Sequence, residues 1–150
     1  MMRLSLSSNE AIKARLCYGA AALAAIISGS ALRLVPVGLP YAIVKYGGST
    51  IWGAMVYAMV AFCVPFARLR TIILIALSIA VLSELFRLYQ TPELDAFRRT
   101  LAGQLLLGRI FSVWNIVAYA AGIMLAAAAD GAFKRSRIQV SPAARSSFPE

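Results

Sequence analysis

The chain has 150 residues, 61% of them hydrophobic and 14% charged, where an ordinary soluble domain carries roughly 25% charge. So little polar surface cannot cover a water-soluble globule, which excludes a soluble enzyme, a disordered chain and a nucleic-acid-binding module. The net charge of +9 does not reverse this, because the 15 Lys and Arg residues sit in short clusters between apolar runs, as membrane flanks do, and form no single basic stripe.

The sequence has no histidine, and so lacks the commonest general base and metal ligand. Its two cysteines, Cys17 and Cys63, lie far apart inside apolar runs and read as packing residues. Neither a disulfide framework nor a zinc site follows, and no metal or cofactor is expected.

A membrane-crossing helix needs ~20 mostly apolar residues. Four windows approach that length, from about Leu16 to Val35, Gly48 to Ala67, Thr71 to Leu88 and Ile110 to Ala129. The first has a rival reading as a signal peptide, since Lys13 and Arg15 precede it and Ser28-Gly29-Ser30-Ala31 offers small residues for cleavage. Its apolar run nevertheless continues past that point toward Val35. Between the first two windows, Pro36, Gly38, Pro40 and the Gly47-Gly48 pair predict a loop over Pro36–Gly47. Pro65 and Arg68-Leu69-Arg70 make a short turn, so the second and third helices should be antiparallel neighbours.

Thr91-Pro92-Glu93 reads as a helix start, with Thr91 as N-cap and Pro92 at the first helical position. Leu94, Phe97, Leu101 and Leu105 then repeat at helical spacing, with Asp95, Arg98 and Arg99 largely on the opposite face and Gly108 as terminator. This predicts one amphipathic helix lying on the membrane surface. The expected fold is an all-α membrane protein. Its single domain, residues 1–130, is an antiparallel bundle of four transmembrane helices with the interfacial helix between the third and fourth. Residues 131–150 form a basic, disordered cytoplasmic tail.

Orientation follows from Lys and Arg counts. With both ends inside, the inner side holds nine (Arg3, Lys13, Arg15, Arg68, Arg70, Lys134, Arg135, Arg137, Arg145) and the outer side six (Arg33, Lys45, Arg87, Arg98, Arg99, Arg109). The count favours cytoplasmic termini and leaves an excess of outer arginines that calls for a partner.

Glu84 is the sharpest single residue. It lies 13 residues beyond Thr71 in the third window, ~20 Å along a helix, and a carboxylate at mid-membrane costs roughly 2.5–3.5 kcal/mol. Arg87 follows at i+3 and can pair with it. Such a pair is either a site facing the bundle or an interfacial ion pair that snorkels to water. Ser112, Asn115 and Tyr119 share one face of the fourth helix, so they either meet Glu84 across the bundle or make ordinary interhelical hydrogen bonds. Ala118 with Gly122, and Ala25 with Gly29, give small-residue spacings for close helix packing. Trp52, Tyr57, Trp114, Tyr46 and Tyr89 flank the spans as interfacial aromatics. Arg33, Lys45, Arg98, Arg99 and Arg109 can hold an anionic headgroup or pyrophosphate, or contact bulk anionic lipid. No Gly-rich nucleotide loop or nucleophile elbow stands out.

Several segments together resemble a family. They are Lys45-Tyr46-Gly47-Gly48-Ser49-Thr50-Ile51-Trp52 before the second span, and Glu84, Leu88-Tyr89, Pro92 and Leu94-Asp95-Ala96-Phe97-Arg98 from the third onward. Gly108, Phe111, Asn115, Ala118-Tyr119 and Gly122 mark the fourth. Over roughly Ser28 to Ala126 the pattern resembles the bacterial inner-membrane family called domain of unknown function 2809, which is itself similar to VanZ-like membrane proteins. The latter are associated with glycopeptide resistance, so the resemblance implies an envelope role without a reaction. It carries over Glu84, Asp95 and Arg98. The sequence departs from the pattern at Ser49 and Asn115, where Asp is expected, and at Arg87, where Gln is expected.

The function these readings favour is a non-enzymatic, multi-pass inner-membrane protein that binds an anionic lipid or lipid-linked envelope intermediate at the outer face. Glu84, Asn115, Asp95, Trp52 and Tyr119 would shape the site, and Arg33, Lys45, Arg87, Arg98 and Arg109 would supply charge. The alternatives are a small proton-coupled transporter built as a homo-oligomer with Glu84 titrating, a membrane-embedded lipid-modifying enzyme using Glu84 or Asp95, and a purely structural partner protein. The expected partners are the bilayer and a second copy of the chain, with no nucleic acid.

Overall fold

The computed structural model describes the backbone of residues 2–34, 38–106 and 111–143, and side chains over 9–34, 38–103 and 111–135. It is all helical. The elements are α1 (Met2–Leu34), α2 (Tyr41–Cys63), α3 (Leu69–Leu85) continued by a 3-10 turn (Phe86–Leu88), α4 (Pro92–Arg99), α5 (Leu101–Leu106) and α6 (Val113–Ala143).

Three stretches are long and apolar enough to cross a membrane: Asn9–Leu34 (26 residues), Leu69–Leu88 (20 residues) and Val113–Arg135 (23 residues). The expected fourth, α2, has the length, 23 residues, but its first half carries Tyr46-Gly47-Gly48-Ser49-Thr50 and lowers its apolar content. Its position offsets that composition. α2 is the hub, packed against α1, α3 and α6, and Ser49 and Gly53 are among its buried residues.

Contacts along the helices fix their directions. Gly19 lies against Phe62, Gly29 against Ile51 and Gly48 against Arg33, so α1 and α2 run in opposite senses. Glu84 meets Asn115 while Leu69 meets Gly131, so α3 opposes α6. Ser49 meets Asn115, Gly53 meets Tyr119 and Tyr57 meets Asp130, so the central pair α2 and α6 runs parallel.

Each of these inner helices buries one stripe at a spacing of four, the separation that keeps side chains on one helical face. The stripes are Ser49-Gly53-Tyr57-Ala61, Ile72-Ala76-Ala80-Glu84 and Asn115-Tyr119-Ile123-Ala127. Small residues at Ala61, Ala76, Ala80 and Ala127 let the backbones approach, and Ile72, Ile123 and Tyr57 fill the remaining space. The two glycines at the α2–α6 contact are obligatory. A Cβ on Gly53 would overlap the Tyr119 carbonyl oxygen, and one on Gly122 would overlap that of Thr50.

Outside these stripes the surface is apolar, with Leu16, Ile27, Leu74, Leu82 and Leu125 all more than 60% exposed. A water-soluble monomer rarely shows so continuous an apolar surface. Cys17 and Cys63, expected as packing residues, are both free thiols on this outer surface, because their helices turn other faces inward.

Three boundaries differ from expectation. The loop predicted over Pro36–Gly47 gives way to helix at Tyr41, and Gly47-Gly48 lies inside α2. There the missing side chains admit Leu32 and Arg33 of α1, so packing overrides glycine's low helix propensity. The single amphipathic helix over Thr91–Gly108 is broken in two. Thr100 adopts an extended backbone, its hydroxyl accepts from Gly103 N–H at 3.1 Å, and Gly103 sits on the Phe97 carbonyl where no Cβ would fit. Finally, α6 continues beyond the boundary expected at Gly131 as far as Ala143, supported by an Asp130–Lys134 pair one turn apart.

Substituting Gly122→Ala should lower stability by ~1–3 kcal/mol or more, the usual cost of overpacking, because the obstacle is backbone. Gly131→Ala should be neutral, since its Cβ would meet only the Leu69 side chain at 3.8 Å. Thermal unfolding of the two purified variants in one detergent distinguishes them.

Candidate functional site

The stripe on α3 ends on Glu84, which has no exposed surface. A carboxylate in such a place must be met by donors, and the start of α6 supplies them. Glu84 Oε1 accepts from the Ser112 backbone N–H at 2.8 Å and from Asn115 Nδ2 at 3.0 Å. Oε2 accepts from the Tyr119 hydroxyl at 3.1 Å and lies 2.7 Å from Arg87 Nη1. Arg87 Nη2 in turn donates to the Tyr119 hydroxyl at 2.9 Å. The position at the N-terminal end of α6 adds the favourable pole of the helix dipole.

α2 closes the site from the other side. The Ser49 hydroxyl donates to the Lys45 carbonyl at 3.0 Å and stands 3.5 Å from Asn115 Oδ1. The Trp52 ring lies 4.7 Å from that of Tyr119, tilted by 46°. Trp52, expected at the interface, is therefore a wall of the network. The three positions where the sequence departs from the expected family pattern, Ser49, Arg87 and Asn115, all fall in this one cluster.

The remaining sequence candidates sit elsewhere at the same end of the helices. Asp95 and Arg98 lie on α4, beside the elbow between α3 and α4. Helical spacing puts Arg98 on the polar outer face of an amphipathic helix, but in the structure it turns inward and is 2% exposed. Its Nη2 donates to the Phe86 carbonyl at 2.9 Å, and Nη1 donates to the Tyr89 carbonyl at 2.9 Å and to Asp95 Oδ1 at 3.3 Å. The guanidinium also stacks over the Phe86 ring. It thus satisfies carbonyls that the end of a helix leaves open and sits at the negative pole of its dipole. Phe97 and Leu101 are exposed instead.

Arg33 and Lys45 lie on the α1–α2 side. Arg33 is exposed with its guanidinium over Gly48, and Lys45 places its ammonium over the rings of Tyr41 and Tyr46, at 5.9 and 5.3 Å. Among the described residues neither forms an ion pair with a carboxylate. Arg109 lies outside the described residues.

A second polar cluster, at the opposite end, was missed in the sequence. Asp130 of α6 accepts from the Tyr18 hydroxyl of α1 at 2.8 Å, from the Tyr57 hydroxyl of α2 at 2.7 Å and from Lys134 Nζ at 2.9 Å. One carboxylate thereby ties three helices. Tyr57, read as an interfacial aromatic, is 2% exposed. The available signal was the stripe Asn115-Tyr119-Ile123-Ala127, which a step of three continues to Asp130 and a further step of four to Lys134. Among the described residues no group of His, Cys, Asp and Glu side chains is placed to hold a metal ion.

Glu84→Ala should cost ~3–5 kcal/mol, as removing one partner of a buried pair does, because Arg87 loses its counter-ion. Arg87→Ala should be similarly harmful, and Glu84→Ala/Arg87→Ala together should cost less than the sum of the two single variants. A thermodynamic cycle from denaturant unfolding measures this. Arg98→Lys should destabilise the elbow, since a single ammonium cannot bridge the Phe86 and Tyr89 carbonyls. Faster hydrogen exchange at residues 86–99 is the readout.

No solved structure matches this chain. Residues 38–123 match the family described as protein of unknown function (DUF2809). That stretch runs from the start of α2 to the Gly122 contact and contains the whole Glu84 network, whereas α1 and Asp130 lie outside it. With more than half of its length matched, the chain belongs to the DUF2809 family.

Proposed function

We propose that the protein is a four-span bacterial inner-membrane protein with cytoplasmic termini, and that it binds an anionic lipid or lipid-linked headgroup at the end of the helices where Glu84 lies. α1, α3 with its 3-10 turn, and α6 cross the bilayer alternately. α2 is the fourth span, its polar first half shielded by the other three. The α4–α5 elbow lies at the outer interface with Phe97 and Leu101 toward the lipid.

The observation that carries the binding reading is the state of the cations at this end. Glu84 and Arg87 satisfy each other, and Arg98 is buried with both terminal nitrogens on backbone carbonyls. Arg33 is exposed and Lys45 is half-buried over two tyrosine rings, and among the described residues neither is paired with a carboxylate. Two uncompensated cations at a membrane boundary attract anionic headgroups, each contributing ~1 kcal/mol. The Glu84 network then serves as the rigid joint that holds α2, α3 and α6 beneath them. The unpaired role falls to Arg33 and Lys45 rather than to Arg87 or Arg98.

Protein reconstituted in mixed vesicles should enrich phosphatidylglycerol over phosphatidylcholine, and replacing Arg33 and Lys45 by Gln should lower that preference roughly fivefold per residue. An unchanged lipid preference in the double variant would remove the basis of the reading. Sidedness is tested in a chain lacking Cys17 and Cys63 with a single Cys at exposed Ala96. An impermeant thiol reagent should label it in intact cells. Protection until lysis would invert the topology and place the site in the cytoplasm.

A further inference from the structure

A groove of about 470 Å³ opens between α1 and α2, with Ala102 of α5 also on its wall. Its character changes along its length. Because α1 and α2 run in opposite senses, Arg33 faces Gly48 at one end, while Ala25 and Met59 lie toward the other. The guanidinium lies across Gly48 so closely that a Cβ there would stand 3.0 Å from Arg33 Nε. The remaining wall is almost wholly apolar, with Ile51, Trp52 and Met55 between. Small residues, Ala25 and Gly29, leave the space open on the α1 side, and the two methionines give the α2 side an adaptable lining.

The length of the groove has a meaning in a bilayer. Gly48 to Met59 is eleven residues, ~16 Å at 1.5 Å per residue, or about half of a hydrocarbon core ~30 Å thick. That is the reach of one acyl chain in one leaflet, starting from a cation at headgroup level. We infer that the α1–α2 groove seats one acyl chain of an anionic glycerophospholipid whose phosphate meets Arg33. The inference rests on the reading above that this end of the helices lies among headgroups, and it adds the chain, the leaflet and the residue that recognises the charge.

Trp52 supplies the probe, because it lines the groove and the chain's only other tryptophan is Trp114. Trp114→Phe leaves Trp52 as the sole indole. The protein is placed in phosphatidylcholine vesicles containing either phosphatidylglycerol or additional phosphatidylcholine brominated on its acyl chains. Brominated phosphatidylglycerol should quench Trp52 with about fivefold higher relative affinity than brominated phosphatidylcholine. Arg33→Gln should erase that difference. Ala25→Phe, which fills the groove, should reduce quenching by the anionic lipid to the level of the neutral one. Met59→Phe narrows the same groove at a half-exposed position and serves if Ala25→Phe fails to fold.

Equal quenching by both lipids in the Trp114→Phe protein would overturn the inference, as would undiminished quenching in a groove-filled variant that folds. Enrichment of anionic lipid without preferential quenching of Trp52 would sustain the headgroup reading and overturn the acyl seat. Neither enrichment nor preferential quenching would overturn both.

Discussion

A carboxylate with no exposure has to be surrounded by donors, and the need to supply them to Glu84 sets much of the arrangement around it. Its partners come from the end of α3, through Arg87, and from the first turns of α6, through the Ser112 amide, Asn115 and Tyr119. These donors are brought together only if α3 and α6 run in opposite senses with the end of one beside the start of the other. The tilted contact of Trp52 with Tyr119 then brings in α2. Moving α3 or α6 by one turn, ~5.4 Å, would strip the carboxylate of partners.

The close approach of α2 and α6 is the complementary constraint. Gly53 and Gly122 let the two backbones touch, and in a membrane, where lipid is as apolar as leucine, such packing supplies the association energy that the hydrophobic effect supplies in water. Asp130 fastens the other end, drawing hydroxyls from α1 and α2 onto α6. The central helices are thus held by a polar joint at each end and a glycine contact between. α1 packs along α2 but faces the surroundings on its other sides, with Ala22 its one buried residue among those described. Small residues along that seam, Ala25, Gly29 and Gly48, leave the groove that Arg33 overlooks.

Arg98 shows how residue type and residue role can part. Its charge and sequence position suit an anion site, and Arg33 and Lys45 look equivalent to it in one dimension. In three dimensions Arg98 ends at the carbonyls of Phe86 and Tyr89, where it stabilises the turn between α3 and α4, while Arg33 is exposed and Lys45 lies over two tyrosine rings. A guanidinium that spans two carbonyls and a carboxylate is a piece of structure, so its charge is used inside the fold.

The sequence by itself determined what depends on composition and period. Low charge and long apolar runs specified membrane-compatible helices, Thr91-Pro92 specified the start of α4, and the i, i+3 and i+4 spacings put Glu84 with Arg87 and Asn115 with Tyr119 on common faces. Helical period says which residues share a face but not what that face meets. Only the tertiary structure decided that the glycine-rich start of α2 is helix, that Arg98 points inward, that Cys17 and Cys63 point outward, and that Tyr18, Tyr57 and Asp130, 112 residues apart at the extremes, form one cluster. Each of these depends on which neighbour supplies a hydrogen-bond partner or leaves a space, and that is settled by packing between helices rather than along them.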